Sequence, residues 1–248
     1  MASKRTGDRD RRSRDGRVVV ITGATGLLGP GVAAAFAASG ARLALIARDR
    51  AELERMVADL PGRAADHLVV PADLGSAQDA LGAAEAVRAR FGRADVLLHL
   101  VGTYRGGGFA DTAAVEWQNL FQVNLWTAVC TFGAFLPLLE EGRSGRLVAV
   151  SSPYAQAPSG ANVAYAASKS ALEALVLSLG AQLEGRVTAN LIVVRSIRAE
   201  PPIGASVDEP RSWTTPAEIA AAMLWLASDE GTMVTGARIP LYGGGATP

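Results

Sequence analysis

Val18-Val19-Val20-Ile21-Thr22-Gly23-Ala24-Thr25-Gly26-Leu27-Leu28-Gly29 runs from a β-branched block directly into a turn punctuated by glycine. Four consecutive β-branched residues predict a strand buried on both faces, not one alternating between core and water. The Ala-rich stretch that follows, to about residue 39, predicts a helix that Gly40 ends. A helix N-terminus gathers unpaired N–H groups and the positive end of the dipole, so it attracts phosphate. Gly23 allows the tight exit from the strand, Gly26 the close approach of a pyrophosphate, and Gly29 the packing of helix on strand. The spacing alone is a weak signal. Between a buried strand and a helix, near the start of a fold, it points to a dinucleotide.

The same alternation continues outward from that unit. Strands are expected over 41–47, 67–70, 95–100, 145–150, 187–194 and 237–241, separated by helices over 50–60, 76–91, 112–139, 165–183 and 216–227. Repeated strand–helix units imply right-handed crossovers and a parallel sheet covered on both sides. The expected fold is a three-layer, doubly wound α/β sheet of Rossmann type, one domain over 17–248. Residues 1–16, where arginines and aspartates interleave without periodicity, read as a disordered polar arm.

Composition narrows the rest. The chain has 248 residues, 49% of them hydrophobic, enough for a sizeable single core. Twenty-four basic and 24 acidic side chains balance, so neither nucleic acid nor an anionic membrane is expected as a partner. The single cysteine, Cys130, has no internal disulfide partner, no apolar run reaches roughly 18–20 uninterrupted residues, and the N-terminus lacks an apolar signal core. A cytoplasmic protein is expected. No local spacing joins His67 or His99 to other metal ligands, so no metal is expected. His67 reads as structural, while His99 stands either in packing or beside the bound dinucleotide.

The second strand ends at Ala47-Arg48-Asp49-Arg50. A carboxylate at the end of that strand would accept from a free ribose 2′-hydroxyl; an arginine there pairs instead with a 2′-phosphate. NADP(H) is therefore favoured over NAD(H), the alternative being an Arg48 that pairs with Asp49 or Glu52 at the surface. Further on, Tyr165-Ala-Ala-Ser-Lys169 places a phenol and an ammonium four residues apart on one helical face. A phenol keeps its proton to about pH 10, and a nearby ammonium is expected to bring that value down into a useful range. Ser152, at the end of the strand-like run Gly145-Arg-Leu-Val-Ala-Val150, is placed to bind the oxygen that Tyr165 protonates.

With these residues in order, the chain resembles a short-chain dehydrogenase/reductase of the single-domain branch over roughly residues 17–244. The resemblance implies Tyr165 as catalytic acid/base, Lys169 as the group that tunes it and bonds the nicotinamide ribose, and Ser152 as the group orienting a substrate carbonyl. It implies that Asn124, in Phe121-Gln-Val-Asn-Leu125, holds a relay water through its backbone. Asp73 and Leu74, in Pro71-Ala-Asp-Leu74, would border the adenine. Thr22, Gly23, Thr25, Gly26, Leu27, Leu28, Gly29 and Gly102 would line the cofactor. The segments Thr215-Pro-Ala-Glu-Ile219, Leu226-Ala-Ser-Asp229, Thr235-Gly236 and Gly243-Gly244 resemble the family's closing helix and strand.

Departures from the family pattern are Leu27 in the glycine turn, His99-Leu100-Val101-Gly102 for Asn-Asn-Ala-Gly, and Arg195-Ser196 for Pro-Gly. Glu200 stands where a hydroxyl residue usually holds the carboxamide. The expected activity is NADPH-dependent reduction of a carbonyl, imine or quinonoid group. The alternatives are a non-redox isomerase, dehydratase or cyclase that retains NADP, and a non-catalytic NADP-binding sensor. Tyr104-Arg105 and Pro153-Tyr154 would wall the substrate pocket. The loop 197–213, with Pro201, Pro202, Gly204 and Pro210, would form a movable lid. By the same likeness the long helices over 112–139 and 163–184 pair into a homodimer or homotetramer.

Overall fold

The computed structural model describes residues 16–142, 144–199 and 213–242. The expected arm over 1–16 lies outside the described residues except for Gly16, as do Glu200, most of the expected lid with Pro201, Pro202, Gly204 and Pro210, and Gly243-Gly244.

Seven strands form one sheet: β1 (Val18–Thr22), β2 (Arg42–Ala47), β3 (Leu68–Pro71), β4 (Val96–His99), β5 (Gly145–Ser151), β6 (Val187–Val194) and β7 (Arg238–Leu241). Their order is β3-β2-β1-β4-β5-β6-β7, and every neighbouring pair is parallel. The helices are α1 (Gly29–Ala38), α2 (Arg50–Ala58), α3 (Ala77–Phe91), α4 (Ala114–Phe121), α5 (Thr127–Glu140), α6 (Val163–Gln182) and α7 (Pro216–Leu226).

Every β1 residue is buried, as the unbroken β-branched block requires. Val18 and Val20 face the layer of α3, α5 and α6, while Val19 and Ile21 face α1, α2 and α7. Each such side chain contributes roughly 1.5–3 kcal/mol on burial. Local chemistry starts the helices: Asp49 accepts from Glu52 N–H ahead of α2, Ser76 from Asp79 N–H ahead of α3, and Thr215 from Glu218 N–H ahead of α7. His67 lies just before β3, and its Nδ1 accepts from Leu43 N–H at 3.2 Å, a structural role.

One expected element differs. The helix over 112–139 begins at Ala114, because the Thr112 hydroxyl is turned back onto Gly108 O and Glu116 reaches back to Ala113 N–H. It is also interrupted. Gln122–Trp126 form a π turn between α4 and α5, a wider turn that holds one extra residue. The whole run, Ala114–Glu140, has the length and apolar composition of a membrane span, yet 56% of its most apolar window is packed inside the protein. Its inner face is a core face.

Candidate active site

β1 and β4 are neighbours, but the chain leaves β1 toward β2 and leaves β4 toward β5, on opposite sides. Such a reversal opens a crevice at the carboxyl ends of the strands. Here it has a volume of about 570 Å³ and is lined by Gly23, Thr25, Gly26, Arg48, Asp73, Leu74, Gly102 and Asn119, among others.

Gly23 has φ +67°, and a Cβ on it would lie 3.0 Å from Val101 N, so a side chain would strain the turn and crowd the β4 loop. A Cβ on Gly29 would lie 1.8 Å from Ala24 O, so α1 seats directly on the turn. The expectation that all of this stretch faces a ligand needs correction. The Thr22 hydroxyl lies 3.0 Å from His99 Nδ1 inside the core, Leu28 is packed in the apolar cluster beneath α1, and the Leu27 side chain is 60% exposed. The Thr22 and Leu28 side chains are turned inward because β1 still alternates at Thr22 and because apolar Leu28 gains by burial under the helix.

At the end of β2, Arg48 is exposed on the crevice wall and, among the described residues, has no carboxylate partner. Asp49 is engaged as the cap of α2, and Arg50 pairs with Glu54 at 3.4 Å. Asp73 turns its carboxylate onto Gly75 N–H (2.9 Å) beside Leu74. A glycine floor without Cβ atoms, a guanidinium at the ribose end and an acidic residue opposite fit a dinucleotide.

The groups expected to react lie beyond the crevice. Tyr165 and Lys169 lie on α6, 9% and 5% exposed, and Ser152 follows β5 at 2%. The Ser152 hydroxyl, which accepts from Tyr154 N–H at 3.4 Å, lies beside the Tyr165 phenol and favours its ionised form. Lys169 Nζ donates to Val150 O at 3.0 Å, and a Cβ on Gly102 would lie 3.1 Å from that nitrogen, so a side chain there would press on the ammonium. The expectation that Lys169 draws the phenol down is not met in this arrangement. Burial raises the Tyr165 pKa, the Ser152 hydrogen bond lowers it, and the Tyr104 and Tyr154 phenols raise it. Desolvation wins because the ammonium is directed at a backbone carbonyl. Burial likewise lowers Lys169 to about 8, with the Glu173 carboxylate opposing.

Asn124 is fully buried at the π turn. Its Oδ1 accepts from Thr103 N–H at 2.7 Å, and its Nδ2 donates to Thr103 O at 3.0 Å and Ser168 Oγ at 2.9 Å. The side chain thereby ties the β4 loop to α6 and leaves the residue's backbone as the part that would face a relay. His99 is also behind the crevice, 1% exposed, between Thr22 and Thr127 and edge-on to Phe132 at 5.3 Å. Since Thr127 donates to Val123 O at 2.6 Å, its oxygen accepts from His99 Nε2–H, leaving Nδ1 to accept from Thr22.

Both tyrosines named for the substrate wall meet Tyr165 edge-on, Tyr104 at 4.9 Å and Tyr154 at 6.3 Å. The Tyr104 hydroxyl donates to Asn162 Oδ1 at 2.6 Å, and Gly107 pairs with the chain just ahead of α6 (Gly107 N–H to Ala161 O, 2.7 Å). Asn162 and Asn119 went unidentified in the sequence. For Asn119 a signal existed: with Val123 and Thr127 it forms a stripe at spacing four, and all three line the crevice.

The short chain dehydrogenase family model matches residues 17–201. D-threitol dehydrogenase of Mycolicibacterium smegmatis is 31% identical over 243 residues, covering 93% of each chain. Among solved structures, an NADPH-bound short chain oxidoreductase of Pseudomonas aeruginosa, described as containing an atypical catalytic center, superposes with a TM-score of 0.85 at 25% identity, covering 94% of this chain and 99% of that one. A 3-ketoacyl-(acyl-carrier-protein) reductase from Brucella melitensis complexed with NADH does so at 0.82 and 25%, with the same coverage.

Proposed function

The chain belongs to the short-chain dehydrogenase family, a family of oxidoreductases that bind a nicotinamide cofactor, and from this premise we propose that it reduces a carbonyl group of a small molecule with NADPH. The observation that carries the reading is the buried Tyr165 phenol and Ser152 hydroxyl, near enough that Ser152 eases the phenol's ionisation, beside a crevice floored by Gly23, Gly26 and Gly102. When bound, the nicotinamide supplies the hydride. Gly23, Thr25 and Gly26 would hold its pyrophosphate, Arg48 the 2′-phosphate, Asp73 and Leu74 the adenine, and Gly102 with Lys169 the nicotinamide side.

Ser152 and Tyr165 donate toward one point, the substrate oxygen, where negative charge grows as the carbonyl is reduced. Their stabilisation therefore favours the transition state over the ground state. Burial keeps Tyr165 protonated at neutrality, which suits a proton donor. Lys169 stands one turn away with its charge retained below about pH 8, and that ammonium would hold the nicotinamide ribose. Above that pH the ammonium is lost and reduction slows. The relatives' named activities, on a polyol and on a 3-ketoacyl group, both concern the carbinol–carbonyl pair.

Arg48 supports NADPH over NADH, because Ala47 offers no carboxylate to a ribose hydroxyl and Asp49 is occupied as a helix cap. Arg48→Ala should weaken NADPH binding roughly 10- to 100-fold, as expected for a charge-assisted phosphate contact, and leave NADH binding nearly unchanged. Fluorescence titration of both cofactors, with a ketone panel for turnover, checks this; equal losses would assign Arg48 to the surface alone.

A non-redox reading, an isomerase, dehydratase or cyclase that keeps NADP in place, is favoured by one departure. Arg195-Ser196 stand at the end of β6, and the Arg195 guanidinium lies 5.6 Å over the Tyr242 ring. Product formed with no change in reduced-nicotinamide absorbance would select it. For assembly, the exposed stripe of Trp126 (48%), Val129 (37%) and Gly133 on the outer side of the π turn and α5 supports a dimer or tetramer. Light scattering at micromolar concentration should give two or four chain masses, and Trp126→Glu should return one.

A further inference from the structure

Behind the reacting groups lies a carboxylate that the proton-transfer scheme does not use. Glu173 follows Lys169 by one turn of α6 and is 2% exposed. Its Oε1 accepts from the Ser151 hydroxyl at 2.7 Å and from Gln156 Nε2 at 3.4 Å, and its Oε2 accepts from Arg238 Nε at 2.5 Å. One α6 side chain thus joins the end of β5, the turn beyond it and the edge strand β7. A carboxylate at this depth is tolerated when it is paired and hydrogen-bonded, and here both conditions are met. It adjoins the reacting set at two points: its partner Ser151 precedes Ser152, and Lys169 lies one turn back.

We propose that Glu173 is a positioning residue of this site: it fixes the strand end that presents Ser152, and it supplies the negative charge that keeps the Lys169 ammonium charged behind Tyr165. This rests on the reading of Ser152, Tyr165 and Lys169 as the reacting groups.

The surroundings of both groups support the assignment. Lys169 faces neutral His99 from β4 and Tyr165 and Glu173 from its own helix, while its hydrogen bond runs to the β5 backbone. Gly102 and Asn124 approach it from the β4 loop and the π turn without charge. Glu173 in turn faces Arg238 from β7 and Tyr242 just beyond it, and Tyr242 lies beneath Arg195 from the end of β6. Among the described residues, Glu173 is the acidic group that acts on Lys169. Burial lowers Lys169 to about 8 even with the Glu173 carboxylate opposing, so the margin that keeps it charged at neutrality is narrow and depends on that carboxylate.

The chain contains only two lysines, Lys4 and Lys169. Full-length protein labelled isotopically at lysine Cε therefore gives two titrating resonances, and Lys4→Arg identifies the second. In Glu173→Gln, which keeps the shape and removes the charge, the Lys169 midpoint should fall by about one pH unit, a tenfold loss of ammonium at a fixed pH above the midpoint. Arg238→Gln removes the competing cation from a half-exposed position, so the midpoint should rise, by roughly threefold in the same ratio. The alkaline limb of turnover should move with the resonance in each variant.

Opposite shifts establish the charge coupling, which a purely structural ion pair would not produce. An unchanged midpoint in both variants, or movement of both in one direction, overturns it. Should Glu173→Gln fail to fold, a midpoint that stays put or falls in Arg238→Gln is sufficient to reject the coupling. If the midpoints move oppositely while no ketone is turned over with NADPH by the unsubstituted protein, the coupling stands and the reductase reading fails.

Discussion

Tyr165→Phe is expected to lower carbonyl reduction by about 10²- to 10⁴-fold while NADPH affinity stays within about twofold. The change removes the phenolic proton beside Ser152 and leaves the ring in its slot between Tyr104 and Tyr154. The phenol is buried and held above its ordinary pKa, so the proton it loses is one it carries throughout the neutral range. Single-turnover measurement with saturating NADPH isolates this step from binding. Undiminished turnover would remove Tyr165 from the chemistry and leave its burial as a packing fact.

A second large effect concerns stability in acid. His99 is fully enclosed, and its pKa falls to about 3 from the ordinary 6.5, chiefly through burial and secondarily through the Lys169 charge. The folded state therefore refuses a proton that the unfolded chain accepts below about pH 6.5. Between that pH and about 3 the unfolded state binds more protons, so stability falls as the pH falls, by about 1.4 kcal/mol per unit. Urea unfolding at a series of pH values from about 6 to 4.5, above the range where most carboxylates titrate, should show this slope. In His99→Gln the slope should largely vanish, since an amide carries no charge yet still offers a donor and an acceptor to Thr127 and Thr22. An equal slope in that variant would place the acid sensitivity elsewhere.

Much of the architecture was legible because buried parallel strands announce themselves. The block at 18–21 is wholly apolar and that at 187–194 is broken only by Thr188 and Asn190, and both became strands buried along their whole length. The glycine turn was legible for a related reason, since its spacing reflects backbone contacts that only glycine allows, such as Gly23 against Val101. Proximity of Ser152, Tyr165 and Lys169 followed from a strand end and a helix repeat. Other features depend on what surrounds a residue in space. Nothing local marks the π turn, whose buried Asn124 is held by Thr103 from the β4 loop and Ser168 from α6. The direction of the Tyr165 pKa depends on how deeply the phenol is enclosed, which no spacing reports. Thr22 and Leu28 sit inside a ligand-binding stretch yet face the core, because position in a motif does not fix which way a side chain points.

The widened turn at Gln122–Trp126 also has a consequence for the shape of the cleft wall. In an ordinary helix, residues four apart creep around the cylinder by about 40° at each step. A turn holding an additional residue unwinds that creep once. Asn119, Val123 and Thr127, which all line the cleft, therefore stand nearly in a straight rank. Loss of a single residue from this turn would restore the screw and rotate the earlier part of the rank out of line, while every strand of the sheet kept its place.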